Sequence, residues 1–197
     1  MRLLAKSHSF EEANKIKKTI FALNHIQDIA LMKREKLEAN SHNLEAIFRI
    51  EAYDIAHIFG TDTVGVMVVV ENGEKKVSDY RKFKIRGLNG KVSVDDTANL
   101  AEVLTRRLGH LEWPLPNLIV IDGGVAQMNM ATKVLKNKGF NIDIVSVVKD
   151  DKHKPKDFIG EKSKINKYRY EILLANSEAH RFAISYHRNL RKKHFRE

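Results

Sequence analysis

The chain contains no cysteine. Disulfides, thiolate metal sites and a cysteine nucleophile are thereby excluded, and the absence fits a reducing compartment, the cytoplasm. Long apolar runs are missing too. None approaches the ~20 residues needed to span a bilayer, so no membrane partner is expected. The first residues, Met1-Arg2-Leu3-Leu4-Ala5-Lys6, lack the apolar stretch of a secretory signal. Proline is scarce, with three in 197 residues, and neither proline nor glycine occurs before Gly60. The start of the chain is therefore free of strong helix breakers.

What is present points to one compact domain with a modest extra element. Apolar residues make up 43%, enough to fill a core. Thirty-five Lys and Arg against 25 Asp and Glu leave a net charge of +10. Such an excess favours polyanions, because neutralised phosphates release counterions. A basic balance also serves as a solubility surface, so charge alone bears on partners and not on fold.

Residues 1–45 read as a helical segment. Ser9 and Glu12 form a capping box, and Ala13, Ile16, Ile20 and Leu23 follow at helical spacing. A β pattern begins near residue 46. Strands are expected over 49–58, over the β-branched run 63–71, and over 75–86, with Asn72-Gly73 as the hairpin turn between the last two. Asp95-Asp96 caps a helix whose stripe is Leu100, Val103, Leu104 and Leu108. Leu118 to Ile121 is a short buried strand ending in Asp122-Gly123-Gly124. A helix through Val125, Met128, Thr132 and Leu135 follows, then a strand over 142–148. Residues 150–168 read as a polar, Lys-rich loop, 170–174 as a short strand, and a final helix starts near Asn176 or Ser177. The order after residue 48, three antiparallel strands and then alternating helices and strands, is that of an RNase H-like α/β core. Other mixed folds share it.

Ligands gather at the carboxyl ends of strands in such sheets. Asp54 interrupts an apolar strand, where Asp is depleted and an unpaired buried carboxylate is costly. Asp122 ends the fourth strand, although an Asp before Gly-Gly also serves as a turn or cap. If strands one and four are neighbours, the two carboxylates converge. His180 is the third candidate, one histidine among nine. At the start of the last helix the dipole would disfavour its imidazolium, leaving a neutral ligand or base. Two carboxylates and an imidazole suit Mg²⁺ or Mn²⁺. Lys149, ending the fifth strand, is placed to steady a phosphate, or else is a solvated lysine opening a charged loop.

Several blocks, in one order, resemble the UvrC endonuclease domain over about residues 49–196. They are Ile50-Glu51-Ala52-Tyr53-Asp54-Ile55-Ala56-His57, Thr63 to Val69, Tyr80 to Ile85, Asp95-Asp96 before Leu104-Thr105-Arg106-Arg107-Leu108, Leu118 to Gly124 with Gln127 and Asn129, and Glu178-Ala179-His180-Arg181-Phe182-Ala183. The resemblance implies an RNase H-like fold over 46–197. It also implies a divalent metal held by Asp54, Asp122 and His180, and incision 5′ of a DNA lesion in nucleotide excision repair. A further family acid falls in the Asp95-Asp96 pair, with Asp96 taken as the candidate, and Lys149 aligns with a family lysine near the site. Phe10-Glu11-Glu12-Ala13-Asn14-Lys15-Ile16 resembles the UVR motif that binds the UvrB subunit, though a plain amphipathic helix has the same stripe. The family's 3′-cutting GIY-YIG domain and helix-hairpin-helix module have no counterpart in the chain, which suggests a fragment or a reduced member. A non-catalytic DNA- or UvrB-binding module is the alternative, and an actin-like phosphotransferase, which would need more glycine-rich phosphate loops, ranks last. If DNA is the substrate, Arg81, Lys82, Lys84, Arg106, Arg107, Arg181, Arg188 and Lys192 are the candidate phosphate contacts. Such contacts position a duplex without reading its sequence.

Overall fold

The computed structural model describes residues 47–57, 63–87, 95–149 and 155–194, with backbone only for 155–156 and 187–194. They belong to one compact unit, Ala46–Glu197. The helical segment expected over 1–45, with its UVR-like motif, lies outside the described residues.

A seven-stranded mixed sheet forms from β1 (Arg49–His57), β2 (Thr63–Glu71), β3 (Glu74–Lys75), β4 (Arg81–Lys84), β5 (Leu118–Asp122), β6 (Asp143–Lys149) and β7 (Pro155–Ile159). The strand order is β3-β2-β1-β5-β6-β7, and β4 also pairs with β2. β1 and β2 are antiparallel from Arg49↔Glu71 to His57↔Thr63. β1 runs parallel to β5, from Ile50↔Leu118 to Tyr53↔Ile121, and β5 runs parallel to β6. Helices α1 (Asp96–Arg107) and α2 (Val125–Asn137) cover one face; α3 (Lys162–Lys167) and α4 (Arg169–His194) cover the other. This is the RNase H-like arrangement.

Alternation along the strands sorts residues between the two faces. Tyr53, Met67, Ile119 and Ile121 pack under α1 and α2 with Leu100, Val103 and Leu104. Ile50, Ala52, Val68, Leu118 and Val120 pack under α4 with Ile172, Ala175 and Ala179. β2 is buried along both faces up to Val70, as its run of Val residues requires. At Gly65 α1 lies close against β2: a Cβ there would lie 2.3 Å from Val103 Cγ2. Asn72 and Gly73 both take positive φ, 48° and 82°, as a two-residue hairpin turn of type I′ demands.

Three expectations are corrected. The strand over 75–86 is broken into β3 and β4 by a 3₁₀ turn at Val77–Asp79. The buried Arg49 guanidinium pulls Asp79 inward at 2.6 Å, and Tyr80 turns inside to donate to Glu178. The polar stretch 150–168 is not all loop, because β7 adds an antiparallel strand to β6 and α3 follows. The strand over 170–174 is instead the opening of α4, which begins at Arg169. Ile172, Ala175, Ala179 and Ala183 continue one buried stripe at helical spacing, and a short apolar run cannot be told from a strand by composition.

Candidate metal centre

Asp54 and Asp122 each stand one residue past the Tyr53↔Ile121 pair, at the carboxyl end of neighbouring parallel strands. Alternation turns both toward the α4 face. α4 brings His180 over them, with Nδ1 3.5 Å from Asp54 Oδ2. One ligand atom from each of the three lies within 4.8 Å of the others. The carboxylate side chains are only 14% and 15% exposed, the imidazole 54%.

His180 is not at a helix start. It lies eleven residues past Arg169, roughly 16 Å along the axis at 1.5 Å per residue. The end dipole acts within the first turn, so the expected dipole effect on this imidazole is withdrawn. A different device fixes the helix turn that carries it. Glu178, two residues earlier and 2% exposed, accepts from Lys75 Nζ at 2.9 Å, Tyr80 Oη at 3.1 Å and Arg181 Nε at 2.8 Å.

Lys149 ends β6 and its ammonium closes on Asp122 Oδ2 in an ion pair. Burial pushes the Asp122 carboxyl up. The Lys149 hydrogen bond and charge pull it down and the Asp54 charge adds to the rise, so it stays above the ordinary carboxylate value.

A cavity of about 260 Å³ opens beside these groups, lined by Tyr53, Asp54, Ile55, Asp96, Leu100, Ile121, Asp122, Gln127 and Lys149. The two acids at the start of α1 divide their tasks. Asp95 caps the helix, accepting from Thr97 N at 2.8 Å, while Asp96 faces the cavity. His57 Nε2 lies 2.6 Å from Asp96 Oδ1, and its Nδ1 lies 3.1 Å from Thr63 Oγ1. Sequence reasoning missed His57. It stands an odd number of positions from Asp54 on one strand, which sends it to the opposite face, toward α1. Gln127 was missed as well. Its Oε1 accepts from Gly124 N at 3.1 Å, which leaves the amide NH₂ as a donor at the cavity wall.

The donor set fits a divalent cation. Two ligand atoms bonded to one ion at about 2.0–2.2 Å sit at most ~4.4 Å apart, so a closure of a few tenths of an ångström completes the set. Oxygen, oxygen and imidazole nitrogen match Mg²⁺ or Mn²⁺. Among the described residues no other trio of such side chains converges.

The basic candidates are scattered over both faces. Lys82 and Lys84 are exposed on β4, on the α4 face that carries Asp54. Arg81 lies on the other face, over the Trp113 ring at 4.8 Å, and Arg106 binds Glu102 and the Lys84 carbonyl there. Arg181 clamps Glu178. The side chains of Arg188 and Lys192 lie outside the described residues. Arg107 is corrected outright. It is 1% exposed and binds Glu51, itself fully buried, at 2.7 Å. No phosphate reaches it.

Residues 39–184 match the UvrC RNAse H endonuclease domain. A UvrABC system protein C of Caldicellulosiruptor saccharolyticus is 43% identical over 175 residues, covering 85% of this chain and 28% of that protein. One of Finegoldia magna is 40% identical over 187 residues, covering 84% of this chain and 30% of that protein. The chain thus spans roughly 30% of the length of the curated relatives it matches. A solved structure of Ciona intestinalis endonuclease V in complex with inosine-containing DNA aligns at a TM-score of 0.41 and 13% identity, over 73% of this chain and 66% of that one. That likeness is too distant to bear on function.

Proposed function

The chain belongs to the UvrC RNase H endonuclease domain family, and from that premise we propose that it is a divalent-metal-dependent endodeoxyribonuclease. Its task is the 5′ incision at damaged DNA in a UvrABC-type excision-repair system. The observation that carries this reading is the convergence of Asp54, Asp122 and His180 within 4.8 Å at the strand ends.

A Mg²⁺ or Mn²⁺ ion held by these three residues supplies Lewis-acid chemistry, polarising a phosphoryl oxygen and making water more acidic. The chain's own groups do the rest. Lys149 offsets negative charge where the phosphodiester must enter, which is worth most in a half-buried site. The Gln127 amide donates to a phosphate oxygen from the cavity wall. Asp96, steadied by His57, takes up the proton that the attacking water gives up as its oxygen bonds to phosphorus.

The net charge of +10 and the exposed Lys82 and Lys84 support DNA as the partner. A UvrB-type subunit is assigned to the 1–45 segment on its motif alone. No helix among the described residues is long and apolar enough to cross a membrane. We assign the protein to the cytoplasm on its lack of cysteine.

The test is nicking of damaged supercoiled plasmid in Mn²⁺, with and without a UvrB-type subunit, comparing the wild type with Asp54→Asn. Calorimetric titration of Mn²⁺ runs alongside. Nicking and Mn²⁺ binding by the wild type, both lost in the variant, are expected. DNA binding without Mn²⁺ binding or nicking would replace this reading with the non-catalytic module.

A further inference from the structure

Beside the metal centre, on the same face of the sheet, β4 and α4 build a second feature. Asp54 pairs with Val66, and Val66 pairs with Lys82. This cross-strand row places Lys82 two strands from Asp54, roughly 10 Å away at the usual strand spacing. α4 covers the same interval. From His180 it passes over Val64 and Val66 at Ala183 and reaches Tyr186, roughly 9 Å further along its axis. There the exposed Lys82 ammonium lies 4.4 Å from the Tyr186 ring centre and 5.0 Å from that of Phe182.

The aromatic pair is held from beneath. Phe182 meets Tyr80 edge-on at 5.2 Å, and Tyr80 is itself fixed by Glu178. Lys82 has no acidic partner among the described residues. An ammonium resting on rings, with no carboxylate to satisfy it, is a cation free to take an anion. Half-buried rings beside it offer a flat apolar face of the kind on which bases stack.

We propose that Lys82, Phe182 and Tyr186 form a nucleic-acid subsite flanking the metal centre, where Lys82 takes a phosphate of the cut strand and an unpaired base stacks on Tyr186. The inference rests on the endonuclease reading and adds to it. An interval of about 10 Å is within the reach of a few nucleotides of one strand. Stacking tolerates any base, which suits an enzyme whose substrate is defined by damage and not by sequence. Charge complementarity argues for this occupant. The cluster of Asp54 and Asp122 repels a polyanion, so a strand crossing it needs a cationic hold to one side.

The test measures binding of the full chain, in EDTA so that no cutting intervenes, to a fluorescein-labelled single-stranded 20-mer and to its duplex, by anisotropy across a salt series. Lys82→Ala should lower the single-strand salt slope by about 0.7 and weaken binding to both probes. Tyr186→Ala should weaken single-strand binding roughly 5- to 150-fold and leave the duplex nearly unchanged, while Tyr186→Phe keeps the ring and the affinity. Tyr186→Leu, which retains apolar volume, replaces the alanine variant if thermal unfolding shows the latter misfolded. An unchanged slope in Lys82→Ala overturns the subsite and leaves the endonuclease reading standing. So does unchanged single-strand affinity in Tyr186→Ala, equal loss on both probes, or loss in Tyr186→Phe. A wild type that binds neither probe in EDTA overturns the subsite, and one that binds neither in Mn²⁺ as well overturns both.

Discussion

Replacing Arg107 with Met tests the division between structural and substrate-facing cations. The Arg107 guanidinium meets Glu51 through Nε at 3.0 Å and through a terminal nitrogen at 2.7 Å, and the latter also donates to the Pro114 carbonyl at 2.6 Å. Removing it strands a carboxylate with no solvent exposure. Breaking one side of a buried pair costs about 3–5 kcal/mol. The lower end applies, because Glu51 keeps the Tyr53 hydroxyl at 2.6 Å and has the otherwise unpartnered Arg49 Nε at 3.5 Å. At ~2–4 °C per kcal/mol for a chain of this size, the melting temperature should fall by roughly 6–12 °C. The double variant Glu51→Gln, Arg107→Met should recover part of the loss, since a neutral amide still accepts from Tyr53 and leaves no buried charge. Urea denaturation of wild type, both single variants and the double variant reads the coupling. DNA affinity and salt slope of the folded Arg107→Met protein should match the wild type. Losses that simply add across the cycle would refute the buried-pair argument. So would a salt slope lowered by about one phosphate contact.

The other perturbations follow from single contacts. Lys149→Met removes the cation paired with Asp122 and should cut nicking by roughly 10²–10³-fold, as loss of one electrostatic donor does. The Asp122 carboxyl, already raised, should rise further, so the acid limb of the nicking pH profile should move to higher pH. Gly65→Ala drives a Cβ to 2.3 Å from Val103 Cγ2. It should cost about 1–3 kcal/mol in urea denaturation, part of it restored by Val103→Ala. Burial alone would raise the Glu178 carboxyl, but hydrogen bonds from Arg181 and Lys75 hold it below its ordinary value. Its pKa is therefore depressed on folding, and its stabilisation is present above the unfolded value of about 4.3 and lost as pH falls through the folded one. Glu178→Gln should thus destabilise at pH 7, with the deficit shrinking in denaturation curves taken below pH 4.

What the sequence made legible was set by how local its cause is. The β2 run, the Asn72-Gly73 turn and the α1 stripe each follow from neighbours a few residues apart. The meeting of Asp54 with Asp122 needs only the knowledge that strands one and four are adjacent. The fate of Arg107 was legible too, and was overlooked. With Leu100, Val103, Leu104 and Leu108 it occupies one helical face, so it must be buried and must have a buried acid opposite. Glu51, which shares a face of β1 with Tyr53, is that acid. The start of α4 was not legible, because a run such as Tyr170-Glu171-Ile172-Leu173-Leu174 suits strand or helix. Only the continuation of its stripe across the sheet decides between them. β7 is a short edge strand that opens on a proline and two charged residues within a Lys-rich stretch, and residues of that kind blunt an edge and hide the apolar pattern that would betray it.

The two acids of β1 set out the logic of the site. Glu51 turns toward α1 and is matched by Arg107 with full burial. Asp54 turns toward α4 and, among the described residues, finds His180 at 3.5 Å and the carboxylate of Asp122. Lys149 answers Asp122, so two carboxylates against one ammonium leave one negative charge at the strand ends. A divalent cation held there would reverse that sign, and the centre would then attract the phosphate it otherwise repels. At constant ionic strength, wild-type affinity for duplex DNA should therefore rise when Mn²⁺ replaces EDTA. Asp54→Asn removes the excess charge without metal. It should bind DNA more tightly than the wild type in EDTA and gain little from Mn²⁺. Anisotropy measurements in which the two proteins respond alike to Mn²⁺ would mean that the uncompensated carboxylate does not govern substrate entry.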